Sequence, residues 1–244
     1  MEKLSQDSLI KIATVAYQAQ SELGDKMAGP DWKTKNLPFY RAIAREYAEC
    51  FDHIPWEWWK KQNQMEFTAT RRQQTMLELT DNLCFGMSDQ IVRYKGMSFE
   101  GLARKWLMVL TTVIDTPLGP DEGLEPLRMS IETAIQNTLM LQAHHEVDLA
   151  MVYRNIGATP ELIYAYYFGK NALNHFRQDN GDKIGKYSRT WAGVPDNAIL
   201  AGIVEELIAT TSGKDFEEMC LSGVIIDRIK EDLGNLYRNF SCNA

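Results

Sequence analysis

Cysteine is scarce in this chain. Cys50, Cys84, Cys220 and Cys242 are scattered, and no two of them form a C-x-x-C pair. Such spacing argues against a zinc site and reads as reduced thiols in a cytosolic protein. Positive charge is in deficit too: 26 Lys and Arg stand against 33 Asp and Glu, a formal net charge of -7. Bulk nucleic-acid binding needs a basic footprint, so that class is excluded, although a single nucleotide can still be held by a few local cations and a metal. No stretch approaches the roughly 20 apolar residues of a membrane span. The start, "MEKLSQDSLIKIATVAYQAQ", carries an acid at position 2 and no long apolar run, and is not expected to act as a signal peptide. There is no G-K-[ST] for a P-loop, no Ser/His/Asp arrangement, no tandem repeat and no low-complexity tract.

Strand-like alternation bounded by hairpin turns is nearly absent as well. What the chain has is helical rhythm. Apolar residues recur at helical intervals in "LIKIATVAYQAQSEL", "FYRAIAREYAECF", "RQQTMLELTDNLCF", "GLARKWLMVLTTVI", "SIETAIQNTLML", "VDLAMVYRNI", "ELIYAYYFGKNALNHF", "AILAGIVEELI" and "GVIIDRIKEDLGNLY". "GPDW" at 29–32 ends the first helix, and "DTPLGPDEGLEP" at 115–126 reads as a loop. In "GATPE", Thr159 suits an N-cap and Pro160 the first helical position. The expectation is an all-α helical bundle in one domain spanning 1–244. One long segment, "RQDNGDKIGKYSRTWAGVPDN" at 177–197, lacks the rhythm; with its glycines, cations and aromatics it reads as a functional loop.

The stretch "EYAECFDHIPWEWWK" places Glu46, Glu49 and Asp52 three residues apart, so they share one helix face, with neighbouring Cβ atoms about 5–6 Å apart. Glu78 and Asp81 repeat the spacing in "LELTDN". Either pair alone fits a solvated helix face. Both, however, sit among apolar residues: Ile43, Tyr47 and Cys50 flank the first, and Met76, Leu77, Leu79 and Leu83 the second. Carboxylates turned towards a core repel one another and lose hydration. A hard cation relieves both costs, and two acid pairs from facing helices make such a site in a bundle. Among the histidines, His53 beside Asp52 reads as a helix-face hydrogen bond, the adjacent pair His144 and His145 diverge, and His175 neighbours a cationic helix face.

Glu46-x-x-Glu49 followed by Glu78-x-x-Asp81 resembles the E-x-x-E…E-x-x-D signature of the all-α nucleoside triphosphate pyrophosphohydrolases. Two more stretches narrow the resemblance. "ECFDHIPWEWWK" is similar to the metal-binding motif of the dimeric, all-α dUTPases, and "YFGKNALNHFRQDNGDKIGKYSRTWAGVPDNAIL" at 167–200 resembles that family's C-terminal motifs. The likeness covers about 16–85 and 145–205, leaving about 86–144 as a variable insert.

The resemblance implies a bundle of the pyrophosphohydrolase type, a homodimer, and Mg²⁺-dependent cleavage of dUTP, with dUDP a further candidate, to dUMP and pyrophosphate. It makes Glu46, Glu49, Glu78 and Asp81 the metal ligands and Glu49 the residue that orients and deprotonates the attacking water. Lys170, Asn174, Arg177, Lys183 and Tyr187 match positions that contact or close over phosphates. Gln20, Trp56 and Asn197 match positions around the base, whereas Trp58 and Trp59 read as core or interface. The chain departs from the family pattern at Gly24 in "QSELG", where asparagine is expected, at Asp182 in "GDK" for tyrosine, at Pro195 in "PDN" for glutamate, and at "LCF" for W-H-F. Gly24 keeps open a sister specificity for dCTP or a modified deoxypyrimidine triphosphate. A helical regulatory protein without catalysis is a third reading; against it, such a protein has no reason to keep like charges together.

Overall fold

A computed structural model describes residues 2–61, 66–116 and 123–241. Cys242 and half of the 115–126 loop, residues 117–122, lie outside the described residues. Each segment with helical rhythm is a helix. α1 spans Gln6–Ala28, α2 Phe39–His53, α3 Ala69–Arg93, α4 Phe99–Ile114 and α5 Glu125–Leu141. α6 spans Glu146–Asn155, α7 Pro160–Asp179, α8 Asp196–Thr210, α9 Gly213–Ser222 and α10 Val224–Ser241. Side-chain N-caps set several starts: Ser5, Thr68, Ser98, Thr159 and Ser212 each accept a hydrogen bond from a backbone N–H three residues on.

α9 was not anticipated. It buries only Gly213, Phe216 and Cys220, too few positions to show a period, and its bounds are set by caps: Ser212 at one end and Gly223, with φ +77°, at the other.

α7 lies at the centre. Ile163 through Lys170 are buried without a break, the mark of a helix covered on every side. α1, α3, α8 and α10 pack around it, and α2 lies against α3 and α5. The 86–144 stretch is not an appendage. α4 and α5 send Trp106, Leu107, Leu110, Leu127 and Ile131 into the same core as the residues of α1 and α7. A cleft of about 630 Å³ between α5 and α6 shares no lining residue with the acid cluster described below.

The segment expected to be a loop at 177–197 is built. α7 runs on through Asp179, a 3-10 turn covers Asp182–Ile184, and Thr190–Trp191 (β1) pairs antiparallel with Val194–Pro195 (β2). Gly181 and Gly185 bracket the 3-10 turn at φ +85° and +69°, a conformation that costs glycine little. Tyr187 and Trp191 are buried, and both rings contact Phe176 of α7 and Tyr237 of α10. A few aromatic anchors between glycines hold this segment, and such a pattern has no period to read.

Candidate active site

α2 and α3 lie against each other and bring their acids together. Carboxylate oxygens of Glu46, Glu49 and Glu78 all fall within 4.8 Å of one another. Asp81 stands outside this triad. Its Oδ2 is 2.7 Å from Nζ of Lys170, which α7 presents from behind. Asp52, the third member of the sequence stripe, is exposed.

Three of the acids lean on a base and one does not. Arg45 Nε donates to Glu49 at 2.8 Å, Lys170 holds Asp81, and His53 Nε2 lies 3.5 Å from Glu78 Oε1. His53 therefore faces α3 instead of making the expected bond to Asp52, because the last turn of α2 directs it across the helix pair. Among the described residues no ion pair reaches Glu46. Burial, then the charges of Asp81, Glu49 and Glu78, push its carboxyl up to about 8. Asp81 is also raised by burial, with Lys170 opposing. Oxygen donors gathered with this much uncompensated charge fit a hard divalent cation. Glu46, Glu49 and Glu78 would hold it directly, and Asp81 lies near enough to Glu46 to raise its pKa.

The cations of α7 face the same region. Lys170 is only 2% exposed, and besides Asp81 it donates to Asn197 Oδ1 at 3.2 Å. One and two turns on, Asn174 and Arg177 follow on the same face. Arg177 makes a bidentate pair with Asp196, at 2.9 and 2.8 Å, and also donates to Asn197 Oδ1 at 3.0 Å. Tyr187 donates to Asp196 Oδ2 at 2.9 Å; burial and that carboxylate raise the phenol, so it stays a donor. Lys183 points elsewhere: its Nζ donates to the backbone oxygen of Lys26 near the end of α1. Asp196 organises this half of the site, and the sequence reading passed over it although it sits within "PDN".

At the base end, Gln20 is buried. Its Nε2 donates to Ser88 Oγ of α3 at 3.0 Å, and its Oε1 lies 3.4 Å from the Tyr167 hydroxyl. Tyr167 and Asn171 extend this polar patch along α7. The Oδ1 atoms of Asn171 and of Asn82, neighbours in sequence of Lys170 and Asp81, are buried without a hydrogen-bond partner. Trp56 is half exposed, stacked edge-on against Phe51 and Trp59. Trp58 and Trp59 are not core, being 84% and 57% exposed, because the chain leaves α2 there as an extended turn. His175 lies 3.3 Å from the Lys26 amine, and His144 and His145 separate as expected, one packed on Gly86 and the other 2.9 Å from Asp148.

The departures from the family pattern have local reasons. A Cβ on Gly24 would sit 2.6 Å from the Trp32 indole, which is buried and fixed by a 2.9 Å bond from its Nε1 to Asp25. Asp182 takes a bidentate contact from Arg189, at 3.1 and 2.8 Å, across the 3-10 turn and the hairpin. Pro195 ends β2 and immediately precedes α8. Gly24→Ala is expected to destabilise the protein by about 1–3 kcal/mol through overpacking, outweighing the gain of about 1 kcal/mol in helix propensity. Urea titration of both proteins measures it; an unchanged midpoint would show that the indole moves aside freely.

A largely helical chain with a convergent acid triad opposite buried cations has the arrangement that a phosphohydrolase site needs. A family model described as dUTPase matches residues 13–181, and the chain belongs to this all-α dUTPase family. Membership supports dUTP pyrophosphatase activity in general, and the family is generally dependent on divalent metal. The match takes in the acids, Lys170, Asn174 and Arg177, and stops short of Lys183, Tyr187 and Asn197. No curated protein matches the chain. No helix among the described residues is long and apolar enough to cross a membrane.

Proposed function

We propose that this protein is a Mg²⁺-dependent dUTP diphosphatase that releases dUMP and pyrophosphate. The observation that carries the reading is the convergence of Glu46, Glu49 and Glu78 opposite the cationic face of α7. When bound, divalent metal supplies charge neutralisation for the phosphate oxygens and acidifies a coordinated water. Every other contribution comes from the chain. Glu49 is partly exposed at the mouth of the triad, where its carboxylate orients water and takes its proton. With Nε and Nη2 of Arg177 held by Asp196, its Nη1 is the edge left to meet a phosphate oxygen, and Lys170 offers a point charge. Asn174 lies beside Arg177 on the same face, Tyr187 acts through Asp196, and Lys183 would have to leave the Lys26 carbonyl to close over the phosphates. Asp196 fixes the angle of Arg177, and Asn197 ties Arg177 to Lys170.

Gln20, Asn197 and Trp56 read the base. Uracil presents an N3–H flanked by two carbonyls, so it needs both an acceptor and a donor, and amide side chains have both. The single polar patch of Gln20, Ser88, Tyr167 and Asn171 favours a ligand that hydrogen-bonds along one edge. The sister specificity for dCTP rests on Trp32, which fills the space beside Gly24 where an amide is otherwise expected. The measurement that separates the two is kcat/KM for dUTP, dCTP and dTTP at one Mg²⁺ concentration. A preference for dUTP of at least about 100-fold, or ~2.7 kcal/mol, is expected. Equal or better turnover of dCTP would replace the uracil-specific reading with the sister specificity.

The rest of the reading is one domain, a homodimer and a cytoplasmic protein. The exposed Trp56, Trp58 and Trp59, stacked edge to face, suit a covered surface, and the free, buried Cys50, Cys84 and Cys220 suit a reducing compartment.

A further inference from the structure

Lys170 is placed where it answers the charge of the acids before any ligand arrives. It projects from the buried helix α7, and its amine meets Asp81 at 2.7 Å and Asn197 at 3.2 Å. A buried ammonium is tolerated only when paired. Asp81 is the acid that fails to join the triad, and it is the one Lys170 holds. Lys170 also opposes the charge on both Glu46 and Asp81, with Arg177 adding to it at Asp81.

We propose that Lys170 is a positioning residue that competes with the divalent cation for Asp81. In the metal-free protein its amine occupies one side of the acid site as a resident counter-ion and keeps Asp81 apart from Glu46, Glu49 and Glu78. Divalent metal recruits Asp81 only as Lys170 lets go of it. The released amine retains Asn197 as a partner and is free for an anion on the same side, so cation entry and phosphate capture are linked through one side chain. This rests on the reading of the acids as metal ligands.

The test is a calorimetric titration of Mn²⁺ into the full-length protein without nucleotide, which separates the inference from activity. Lys170→Met removes the competing charge, and Mn²⁺ binding is expected to tighten at least about 10-fold, a modest figure for a unit charge beside a divalent ion. Lys170→Gln keeps a polar donor, about one bond shorter, without the charge, and should tighten binding likewise if the methionine variant does not fold. The comparison with Arg45→Met sets the scale for a solvated cation near the same acids, where a change under about 3-fold is expected. The decisive arm is the Asp81→Asn background. There, Lys170→Met should give little further gain, because the contested ligand is already gone. Binding that is no tighter in Lys170→Met and Lys170→Gln overturns the proposal. A gain that persists undiminished in Asp81→Asn also overturns it, since Lys170 would then act only through its general field. If the unmodified protein binds no Mn²⁺, the metal-site reading itself falls. If it binds Mn²⁺ and turns over dUTP but the Lys170 variants bind no tighter, only this inference falls.

Discussion

Glu49→Gln is expected to lower kcat for dUTP by at least about 1,000-fold, roughly 4 kcal/mol of barrier, and to leave the fold intact. The reasoning is geometric. Glu49 shares the triad with Glu46 and Glu78, yet it is the member whose outer partner, Arg45, is a surface side chain. An exposed pair of this kind contributes little to stability, so its loss costs the fold almost nothing. What is lost is a carboxylate that can take a proton from water, and glutamine cannot replace it. Circular dichroism and a denaturation midpoint matching the unmodified protein establish the fold, and steady-state turnover gives the loss. Retention of more than about a tenth of the activity, a barrier change of only ~1.4 kcal/mol, sinks the assignment. Glu46 and Asp81 make the contrast useful. Glu46 has no ion-pair partner among the described residues, so above about pH 8, where its own carboxyl ionises, neutralising it relieves repulsion in the metal-free protein. Asp81 holds a buried lysine, so truncating it also costs stability. The acids of one motif thus have opposite structural consequences, and activity loss alone does not distinguish them.

Much of this fold was legible because most helices bury one face. In α2 the spacing of Ile43, Tyr47 and Cys50 declares the helix and, by elimination, the face that carries Glu46 and Glu49. The same spacing cannot say which base each acid meets. Lys170 and Asp81 lie far apart in sequence on different helices, and nothing local links them. His53 shows the limit: its sequence neighbour is Asp52, but its spatial partner is Glu78 on α3. Trp32 lies beyond the motif containing Gly24, and its indole is what makes glycine fit there. The hairpin between Tyr187 and Asp196 was invisible for another reason. Two-residue strands carry no alternation, and the force that orders them comes from rings on α7 and α10.

Asp196→Ala is expected to destabilise the protein by about 3–5 kcal/mol, because it strands a buried guanidinium. Asp196 and Arg177 are buried, and their two contacts are the fork-on-fork geometry that holds a planar cation in one orientation. The same carboxylate accepts from Tyr187, so truncation also loosens the start of the segment that carries the hairpin. Its backbone N–H donates to Arg189 O, a bond that survives the substitution and keeps α8 attached. The size of the effect therefore reports the side chain. Replacing both partners with apolar residues, Arg177→Met with Asp196→Leu, should recover part of that stability, since no buried charge is then left alone. It should not recover turnover, because the guanidinium proposed to meet phosphate is gone. Chemical denaturation of the two single variants and the double variant tests the first statement, and dUTP turnover tests the second. If Asp196→Ala unfolds at the same denaturant concentration as the unmodified protein, Arg177 finds solvent or another acceptor easily. In that case the pair does not hold the cation in place for phosphate, and the α8 half of the proposed site loses its organising residue.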